Sequence, residues 1–372
     1  MLRKLLKIDL TLLLCSLLLL GVGLAVLYSI SMAQESEGLS VFWRQVIFSV
    51  LGFTMMIFFT FMDYQVLKLK STLIYFFTIL CLVFVLIFGQ TIRGTAGWIG
   101  IGMFHIQPVE IAKIALVIFL ASFISQKKTE LGETGRLVAS FILSLVIIGL
   151  VIKQPDFGSA MVLLGVWLGM TIVSGISFKK ILVIIFAGLI VASVGWFQLQ
   201  EYQKNRILSL VKSDAVDPRG SGYNVIQSMV AVGSGGLIGK GIGHGSQSQL
   251  NFLPEKHTDF IFASIAEELG LFGSLFVIAI YSILFYRMYV IAKSAPDNFG
   301  YLVVVGIMLF FFVQVFENIG MNIGIMPVTG IPLPFLSYGG SSLIAVFASI
   351  GILNNISSKK EAIIQSQDYI AF

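Results

Sequence analysis

Long apolar stretches recur along this 372-residue chain, and they constrain its fold more than any other feature. A helix that crosses the hydrocarbon core of a bilayer needs about 20 consecutive apolar residues. The stretches lack the alternation of barrel strands, so the sequence predicts an all-α polytopic membrane protein. The ten predicted spans are 10–33, 42–62, 71–89, 108–126, 137–152, 158–175, 180–198, 260–286, 300–322 and 333–356.

The composition supports a single integral membrane domain over residues 1–372. Hydrophobic residues make up 57% of the chain and charged residues 12%, whereas a soluble domain carries about a quarter charged residues. The net charge of +5 fits contact with membrane lipid rather than nucleic acid, because the basic residues are scattered through loops. Cys15 and Cys81 lie in separate apolar stretches and are expected to fill the core.

Lysines and arginines in the short loops predict the orientation of the spans. With the N-terminus in the cytoplasm, most of these cations are cytoplasmic, and the short external loops hold Arg44, Arg93 and Lys153. Both termini are then cytoplasmic, including a tail at about 357–372. One long loop, at about 199–259, lies outside the cell between spans seven and eight. The first apolar stretch is long enough to be kept as a helix rather than cleaved as a signal peptide.

A glycine-rich run at residues 233–245 lies in the long loop. It is not a Walker A motif, because Gly241 follows Lys240 where Ser or Thr is required. Two interpretations stay open. The run is either a tight re-entrant loop that needs small residues and positive φ angles, or a cradle of backbone amides for a phosphate group.

The segment 253–263 places Lys256, His257 and Asp259 directly before a long apolar stretch. Charged groups at the mouth of a membrane span are costly unless they face water or a cavity, so this segment is a candidate site. Asp259 stands where an aspartate commonly caps a helix. The same position favours its ionised form, so Asp259 is also a candidate general base.

Further polar residues are predicted at the external ends of the spans. Glu110 and Lys113 are spaced i, i+3 and share one helix face, as a self-neutralising ion pair or as the polar wall of an outward-facing cavity. Asp156 is expected in an external turn. Ser337 is expected at the external end of span ten, where small residues favour close helix packing and substrate contact is a secondary possibility.

External cations are candidates for binding an anionic head group, although a solvated loop surface is the favoured interpretation for any single one. The candidates are Arg206, Lys212, Arg219, Lys240 and Lys256. Glu267 and Glu268 follow Asp259 by eight and nine residues, so they are expected about 12 Å deeper, at 1.5 Å per residue. At least one of these glutamates is expected to have a structural or conformational role.

Several motifs occur in an order that resembles the SEDS family, the bacterial shape, elongation, division and sporulation proteins. They are residues 93–98, 107–113, 154–158, 222–228, 233–245, 253–268 and 332–340. Together they cover nearly the whole chain, and they are more similar to the RodA branch than to the FtsW branch. Val109 departs from the pattern, because the family usually has serine there, but Glu110 and Lys113 are kept.

The resemblance implies a peptidoglycan glycosyltransferase of the bacterial cytoplasmic membrane, acting in cell elongation and shape control through an extracytoplasmic active site. The implied substrate is lipid II, whose polymerisation releases undecaprenyl pyrophosphate. Asp259 matches the family's essential aspartate, and Glu110, Lys113 and Asp156 match polar groups of its central cavity. We expect Asp259 to act as the general base in an inverting transfer.

The resemblance also bears on cofactors and partners. Loop cations, or a divalent metal ion such as magnesium or manganese, would offset the charge of the pyrophosphate leaving group. The implied protein partner is a class B penicillin-binding protein, a transpeptidase whose membrane helix docks against the chain.

Two other functional classes remain open. A transporter or lipid flippase also has many spans, glycine-rich breaks and intramembrane charges. Against it, the polar cluster is predicted at the external face rather than the midplane, and the sequence has no evident inverted repeat. A non-catalytic scaffold that recruits the transpeptidase would not need Asp259.

Overall fold

Helices make up most of the structure, a computed structural model that describes residues 8–32, 39–92, 94–101, 104–126, 132–195, 221–250 and 252–370. In chain order the helices are α1 (Leu10–Met32), α2 (Ser40–Phe61), α3 (Tyr64–Phe88), α4 (Pro108–Ser125), α5 (Glu133–Lys153), α6 (Phe157–Val173), α7 (Phe178–Gly195), α8 (Ser221–Ser234), α9 (Ser246–Gln249), α10 (Ile261–Lys293), α11 (Asn298–Asn322) and α12 (Gly340–Ile370). Three strands lie between α3 and α4: β1 (Gln90–Ile92), β2 (Thr95–Ile101) and β3 (Phe104–Ile106).

Among the described residues, eight helices are long and apolar enough to cross a membrane, namely α1 to α5 and α10 to α12. The α6 helix is apolar but shorter, at 17 residues, and α7 covers 18 residues of the stretch expected for span seven. A helix therefore lies in each of the ten predicted stretches. The multi-pass class is confirmed, and the count of ten spans stays a prediction.

A small antiparallel sheet interrupts the helices, so the expectation of an all-α chain is wrong in this detail. The strands pair in the order β1–β2–β3, with Gln90 opposite Trp98 and Ile99 opposite Ile106. The Ala96 amide donates to the Gln154 carbonyl at 3.2 Å, which joins the sheet to the turn between α5 and α6. The sheet therefore covers the end of the bundle at which α4 and α6 begin.

Helices α4, α11 and α12 are the most buried of the membrane-length helices described. In their most apolar 18 residues 78%, 67% and 78% are buried, against 28% for α2 and for α3. Helix α4 contacts α3, α6 and α11. A helix that is apolar on every face is suited to such a buried position. The polar residues of α4 and α11 therefore face other protein groups rather than lipid.

Helix α10 is broken at Gly270, which has a φ of 68°. The glycine-rich run 233–245 fills the break. The amides of Lys240 and Gly241 donate to the carbonyls just before the break, at 3.0 and 2.9 Å, and carbonyls of the run accept from the amides just after it, at 2.9 and 3.1 Å. Because these groups bond inside the protein, the structure favours the tight-loop interpretation over the phosphate cradle.

The break also changes the expected place of Glu267 and Glu268. Ser29, near the end of α1, donates its hydroxyl to Glu268 Oε1 at 2.6 Å. The two glutamates therefore lie near the end of α1 rather than deep in a continuous span. Glu267 accepts from Lys240 Nζ at 2.8 Å and from two backbone amides of the loop at 2.9 Å each. Both glutamates anchor the loop, which is the structural role predicted for at least one of them.

The last span begins later than the sequence predicts. Helix α12 starts at Gly340 rather than at residue 333. Pro332 and Pro334 lack the backbone N–H that a helix needs in its interior, and the residues around them form an irregular loop. Ser337 therefore lies in a loop and not within the first turn of a helix.

Candidate functional site

A cavity of about 260 Å³ lies at the end of the bundle where α4 and α6 begin and α11 ends. Its described lining includes the three carboxyl-bearing residues Asp156, Glu255 and Asp259. Amide and hydroxyl side chains complete the polar wall, from Thr95, Gln107, Asn224, Thr258, Thr329, Tyr338, Ser341 and Ser342. Three acids and many hydroxyl or amide groups thus converge on one space, a composition suited to a polar ligand with many hydroxyl groups.

The structure places Asp259 in this cavity but not as a helix cap. Phe260, one residue later, occupies the cap position of α10 without a side-chain cap bond, and the Ala263 amide of the first turn donates to Asn322 Oδ1 at 2.9 Å. The Asp259 carbonyl instead accepts hydrogen bonds from Asn318 Nδ2 at 2.9 Å and Asn322 Nδ2 at 3.0 Å. Its carboxylate lies opposite Gly330, where a β-carbon would stand 3.6 Å from Oδ2.

Two loops that line the cavity are fastened to each other. Ser337 Oγ donates to the Thr258 carbonyl at 2.6 Å and accepts from the Leu333 amide at 2.8 Å. The Tyr338 amide donates to the His257 carbonyl at 2.8 Å. These bonds hold the segment that carries Asp259 against the loop before α12. Ser337 and His257, both predicted to line the cavity, take part in these hydrogen bonds between the two loops.

Asp156 lies at the start of α6 and lines the same cavity as Asp259. Its Oδ1 accepts from the Ser159 amide at 3.0 Å and its Oδ2 from Gln107 Nε2 at 3.1 Å. The predicted turn residue is thus the N-terminal cap of a helix. Burial raises the pKa of the Asp156 carboxyl, while the Ser159 hydrogen bond and the charge of Lys113 act in the opposite direction.

Glu110 and Lys113 form the buried ion pair that their spacing predicts. Glu110 Oε1 and Lys113 Nζ are 2.7 Å apart, and the side chains are 2% and 0% exposed. Lys113 interacts electrostatically with Asp156 and with Glu317 of α11. The pair therefore lies behind the cavity wall rather than in it. The positive charge of Lys113 favours the ionised form of the neighbouring acids.

Several residues of this site were not predicted from the sequence. Asn318 and Asn322 are spaced i, i+4 on α11 and reach the same carbonyl. Glu317 is 2% exposed, and its Oε2 has no hydrogen-bond partner in the described part of the chain. Three polar residues within two turns of an apolar helix were the available signal, since such residues are expensive in a membrane and mark functional sites.

The predicted external cations are tied to the protein or lie outside the described residues. Lys240 pairs with Glu267 at 2.8 Å. Lys256 is 3% exposed and donates to the Ser248 carbonyl. Burial lowers the pKa of Lys256 to about 8, and the charge of Glu267 opposes that shift. Arg206, Lys212 and Arg219 fall outside the described residues.

An apolar groove of about 550 Å³ begins beside the cavity. It runs between α2, α3, α4 and α12, and Ser341 lines both the groove and the cavity. Apart from His105 and Ser341 its described lining is hydrophobic, including Phe48, Phe59 and Ile111. A polar space and an apolar groove thus meet at one residue, an arrangement that suits an amphipathic ligand.

A divalent metal ion, expected as one source of positive charge, has no three-ligand site in the described residues. No group of three or more His, Cys, Asp or Glu side chains there is arranged to hold one. Magnesium is often bound through one or two carboxylates together with substrate phosphates. The metal stays a prediction, and no chemical step below is assigned to it.

The helical bundle, the acid-lined cavity at one end and the adjoining groove define a multi-pass membrane protein with a site for an amphipathic ligand. The chain belongs to the FtsW/RodA/SpoVE family of cell cycle proteins, which it matches over residues 9–362. This agrees with the SEDS resemblance of its motifs, and it places the chain among bacterial inner-membrane proteins.

Individual relatives match over nearly their whole length. Peptidoglycan glycosyltransferase MrdB of Escherichia coli (strain K12) is 39% identical over 363 residues, with 96% of each chain covered. Stage V sporulation protein E of Bacillus subtilis (strain 168) is 40% identical over 361 residues, with 94% of this chain and 96% of the relative covered.

Solved structures share the fold. A chain from a peptidoglycan synthase complex that coordinates polymerization and crosslinking superimposes with a TM-score of 0.79 at 30% identity, covering 95% of this chain and 98% of that chain. The crystal structure of Thermus thermophilus rod shape determining protein RodA gives a TM-score of 0.71 at 27% identity, covering 95% and 97%.

Proposed function

We propose that this chain is a peptidoglycan glycosyltransferase that polymerises lipid II at the outer face of the cytoplasmic membrane, in cell elongation and shape control. The observation that carries this proposal is the position of Asp259, whose carboxylate lines a polar cavity that adjoins an apolar groove. Lipid II combines a disaccharide-pentapeptide head with a polyprenyl pyrophosphate, so it needs both environments at once.

Asp259 acts as the general base in the proposed reaction. The 4-hydroxyl of the acceptor GlcNAc gives its proton to the Asp259 carboxylate while its oxygen bonds to the anomeric carbon of the donor MurNAc. The bond between that carbon and the pyrophosphate oxygen breaks, and its electron pair leaves with undecaprenyl pyrophosphate. A carboxylate is a weak base toward a hydroxyl, so proton transfer accompanies attack, which inverts the anomeric centre.

The other polar groups of the cavity orient the sugars. Asp156 and Gln107 are hydrogen-bonded to each other at 3.1 Å and line the same space as Asp259. Holding donor and acceptor in the attacking geometry lowers the barrier by removing translational and rotational freedom. The buried Glu110–Lys113 pair supports this wall electrostatically, through the interaction of Lys113 with Asp156.

The apolar groove receives the first part of the polyprenyl chain. Its hydrophobic lining runs from Ser341 at the cavity toward Leu67, near the start of α3, and Ile352, in the middle of α12. Burying apolar chain there provides binding free energy remote from the reacting atoms, which positions the pyrophosphate at the cavity.

A class B penicillin-binding protein is the proposed partner. This follows from the family resemblance and from the fold shared with a chain of a peptidoglycan synthase complex. Glycan strands made by this chain would then be crosslinked by the attached transpeptidase.

The deciding experiment compares Asp259→Ala with wild type in polymerisation of purified lipid II, each purified with its transpeptidase. Removal of a general base lowers rates about 10²- to 10⁴-fold, so we expect no detectable glycan from the variant. Asp63→Asn is the matched control, since Asp63 caps α3 at the opposite end of the bundle and should leave polymerisation unchanged.

A lipid-scrambling assay in labelled liposomes distinguishes a flippase from the proposed glycosyltransferase. Scrambling that persists in Asp259→Ala, with no polymerisation by wild type, would favour transport. Glycan synthesis by Asp259→Ala at the wild-type rate would instead overturn the role of Asp259.

A further inference from the structure

A second polar cavity, of about 290 Å³, lies at the opposite end of the bundle from Asp259. It is enclosed by the end of α4, the start of α5, the end of α6 and the start of α11. These elements contribute Ile124, Arg136, Thr171 and Tyr301 to its lining. By the distribution of lysines and arginines in the short loops, this end faces the cytoplasm.

Arg136 places a guanidinium group in the wall of this cavity. In the described part of the chain its guanidinium has no hydrogen-bond or ion-pair partner. Glu133 lines the same cavity, pairs with Lys180 at 2.8 Å and accepts from the Ser177 amide at 2.9 Å. The charge of Arg136 also acts on this carboxylate, so two cations share one acid at this end of the bundle.

Thr171 provides an independent sign of a ligand. Its side chain is 1% exposed, and its hydroxyl has no hydrogen-bond partner among the described residues. An unpartnered buried hydroxyl is destabilising, so such groups are normally hydrogen-bonded. Its position in the wall of the cavity, together with the unpaired Arg136, calls for a ligand that accepts hydrogen bonds and carries negative charge.

We propose that this cavity binds the phosphodiester head group of an anionic phospholipid from the cytoplasmic leaflet. Arg136 and Thr171 donate to the phosphate oxygens. The apolar wall formed by Phe123, Ile124 and Leu302 suits the adjoining glycerol and acyl carbons. An arginine is the side chain best matched to phosphate geometry.

Thermal unfolding of the full-length protein in detergent tests the proposal directly. Dioleoyl-phosphatidylglycerol should raise the unfolding temperature of wild type, because a ligand of the folded state stabilises it by mass action. Dioleoyl-phosphatidylcholine should not. Arg136→Gln should weaken the apparent affinity for phosphatidylglycerol about tenfold or more, as expected for loss of a charge-assisted hydrogen bond.

Two further variants make the test specific. Lys70→Gln removes the same charge from an exposed position at the start of α3 and should respond like wild type. Thr171→Val removes the hydroxyl with little change in shape and should lose part of the response. Native mass spectrometry of the same proteins should show one retained phosphatidylglycerol fewer in Arg136→Gln than in Lys70→Gln.

Two outcomes would overturn the proposal. If Arg136→Gln and Thr171→Val keep the full response to phosphatidylglycerol, the cavity does not bind the head group. If inorganic phosphate alone reproduces the stabilisation of wild type and Arg136→Gln abolishes it, the cavity binds a free anion rather than a lipid.

Discussion

Asp259 is held through its backbone carbonyl. Two donors from α11, on Asn318 and Asn322, reach its carbonyl, and Asn318 also donates to the Ile331 carbonyl at 2.7 Å. A buried hydrogen bond contributes about 0.5–1.5 kcal/mol, and an orphaned buried carbonyl costs about 1–3 kcal/mol. The direction of the backbone sets where the Asp259 carboxylate points, so α11 positions the candidate base. Asn318 and Asn322 do this without lining the cavity themselves.

Asn318→Ala should lower the rate of glycan polymerisation about tenfold to a hundredfold, since small misplacements of a catalytic group have effects of that size. The matched control is Asn355→Ala. Asn355 is also buried, and it donates to the Thr60 carbonyl at 2.8 Å at the other end of the bundle. Rates are measured per folded molecule, so a general loss of stability would affect both variants alike. Equal rates for the two variants would remove the positioning role of Asn318.

Asp156 should make stability depend on pH. Burial raises its folded-state pKa above the ordinary value of 3.8, so the folded protein binds this proton more tightly than the unfolded chain. The unfolding free energy therefore falls as pH rises from about 3.8 through the raised value, and this contribution is constant above it. Asp156→Asn removes the titrating group but keeps an oxygen that can accept from Ser159.

Unfolding midpoints of wild type and Asp156→Asn, measured between about pH 4 and pH 8, check this sign. The difference, wild type minus variant, should become more negative with rising pH. A difference that grows more positive would mean that the pKa is lowered and that the Lys113 charge outweighs burial.

Functional residues could be predicted from the sequence where the neighbouring residues alone indicate them. Asp259 stood out because a charged group directly precedes a long apolar stretch. Glu317 did not, because its neighbours Lys113 and Asp156 come from other helices. Lys240 was predicted as an available external cation, but it pairs with Glu267, a contact that depends on how the glycine-rich run folds back onto α10.

At the scale of elements, the glycine-rich run and the break in α10 form one unit. A helix break leaves backbone amides and carbonyls without partners, and inside a membrane protein those groups must be bonded internally. The run provides the missing partners on both sides of Gly270. Close approach of the two backbones requires glycine at Gly239, which has a φ of +80° and where a β-carbon would stand 2.2 Å from the Glu268 carbonyl oxygen.

Gly239→Ala should therefore detach the run from α10. The left-handed conformation costs a non-glycine residue about 1–2 kcal/mol, and the overpacked contact adds about 1–3 kcal/mol. Gly233→Ala is the control, because nothing lies within 4 Å of a β-carbon there and alanine favours a helix. Limited proteolysis should cleave the run faster in Gly239→Ala only. Similar cleavage of both variants would contradict the docking role of Gly239.

Helices were predictable because lipid leaves an apolar stretch little choice of structure, whereas their interruptions were not. Gly270 follows Glu267 and Glu268 within a predicted span, and a single glycine there does not by itself indicate a break. The strands at 90–106 are too short and too rich in glycine for a clear period of two. The start of α12 was placed too early because the prolines at 332 and 334 sit in an otherwise apolar segment.

At the scale of the whole molecule, three helices connect the two cavities. Helices α4, α6 and α11 each contribute to the Asp259 site near one end and to the Arg136 cavity near the other, through residues such as Ile124, Thr171 and Tyr301. Buried helices in close contact move as rigid elements. The proposed functions require the Asp259 site to face the outside of the cell and the Arg136 cavity to face the cytoplasm. Both proposals therefore depend on the orientation of the protein in the membrane.

Single-cysteine labelling tests that orientation. Cys15 and Cys81, both within spans, are first replaced by alanine. Leu250→Cys is then introduced in the predicted external loop, where Leu250 is 65% exposed, and Lys70→Cys at the exposed start of α3. In intact spheroplasts a membrane-impermeant maleimide should label Leu250→Cys at once, and Lys70→Cys only after permeabilisation. The reverse pattern would place Asp259 in the cytoplasm, where a carboxylate could not act on lipid II at the outer face of the membrane.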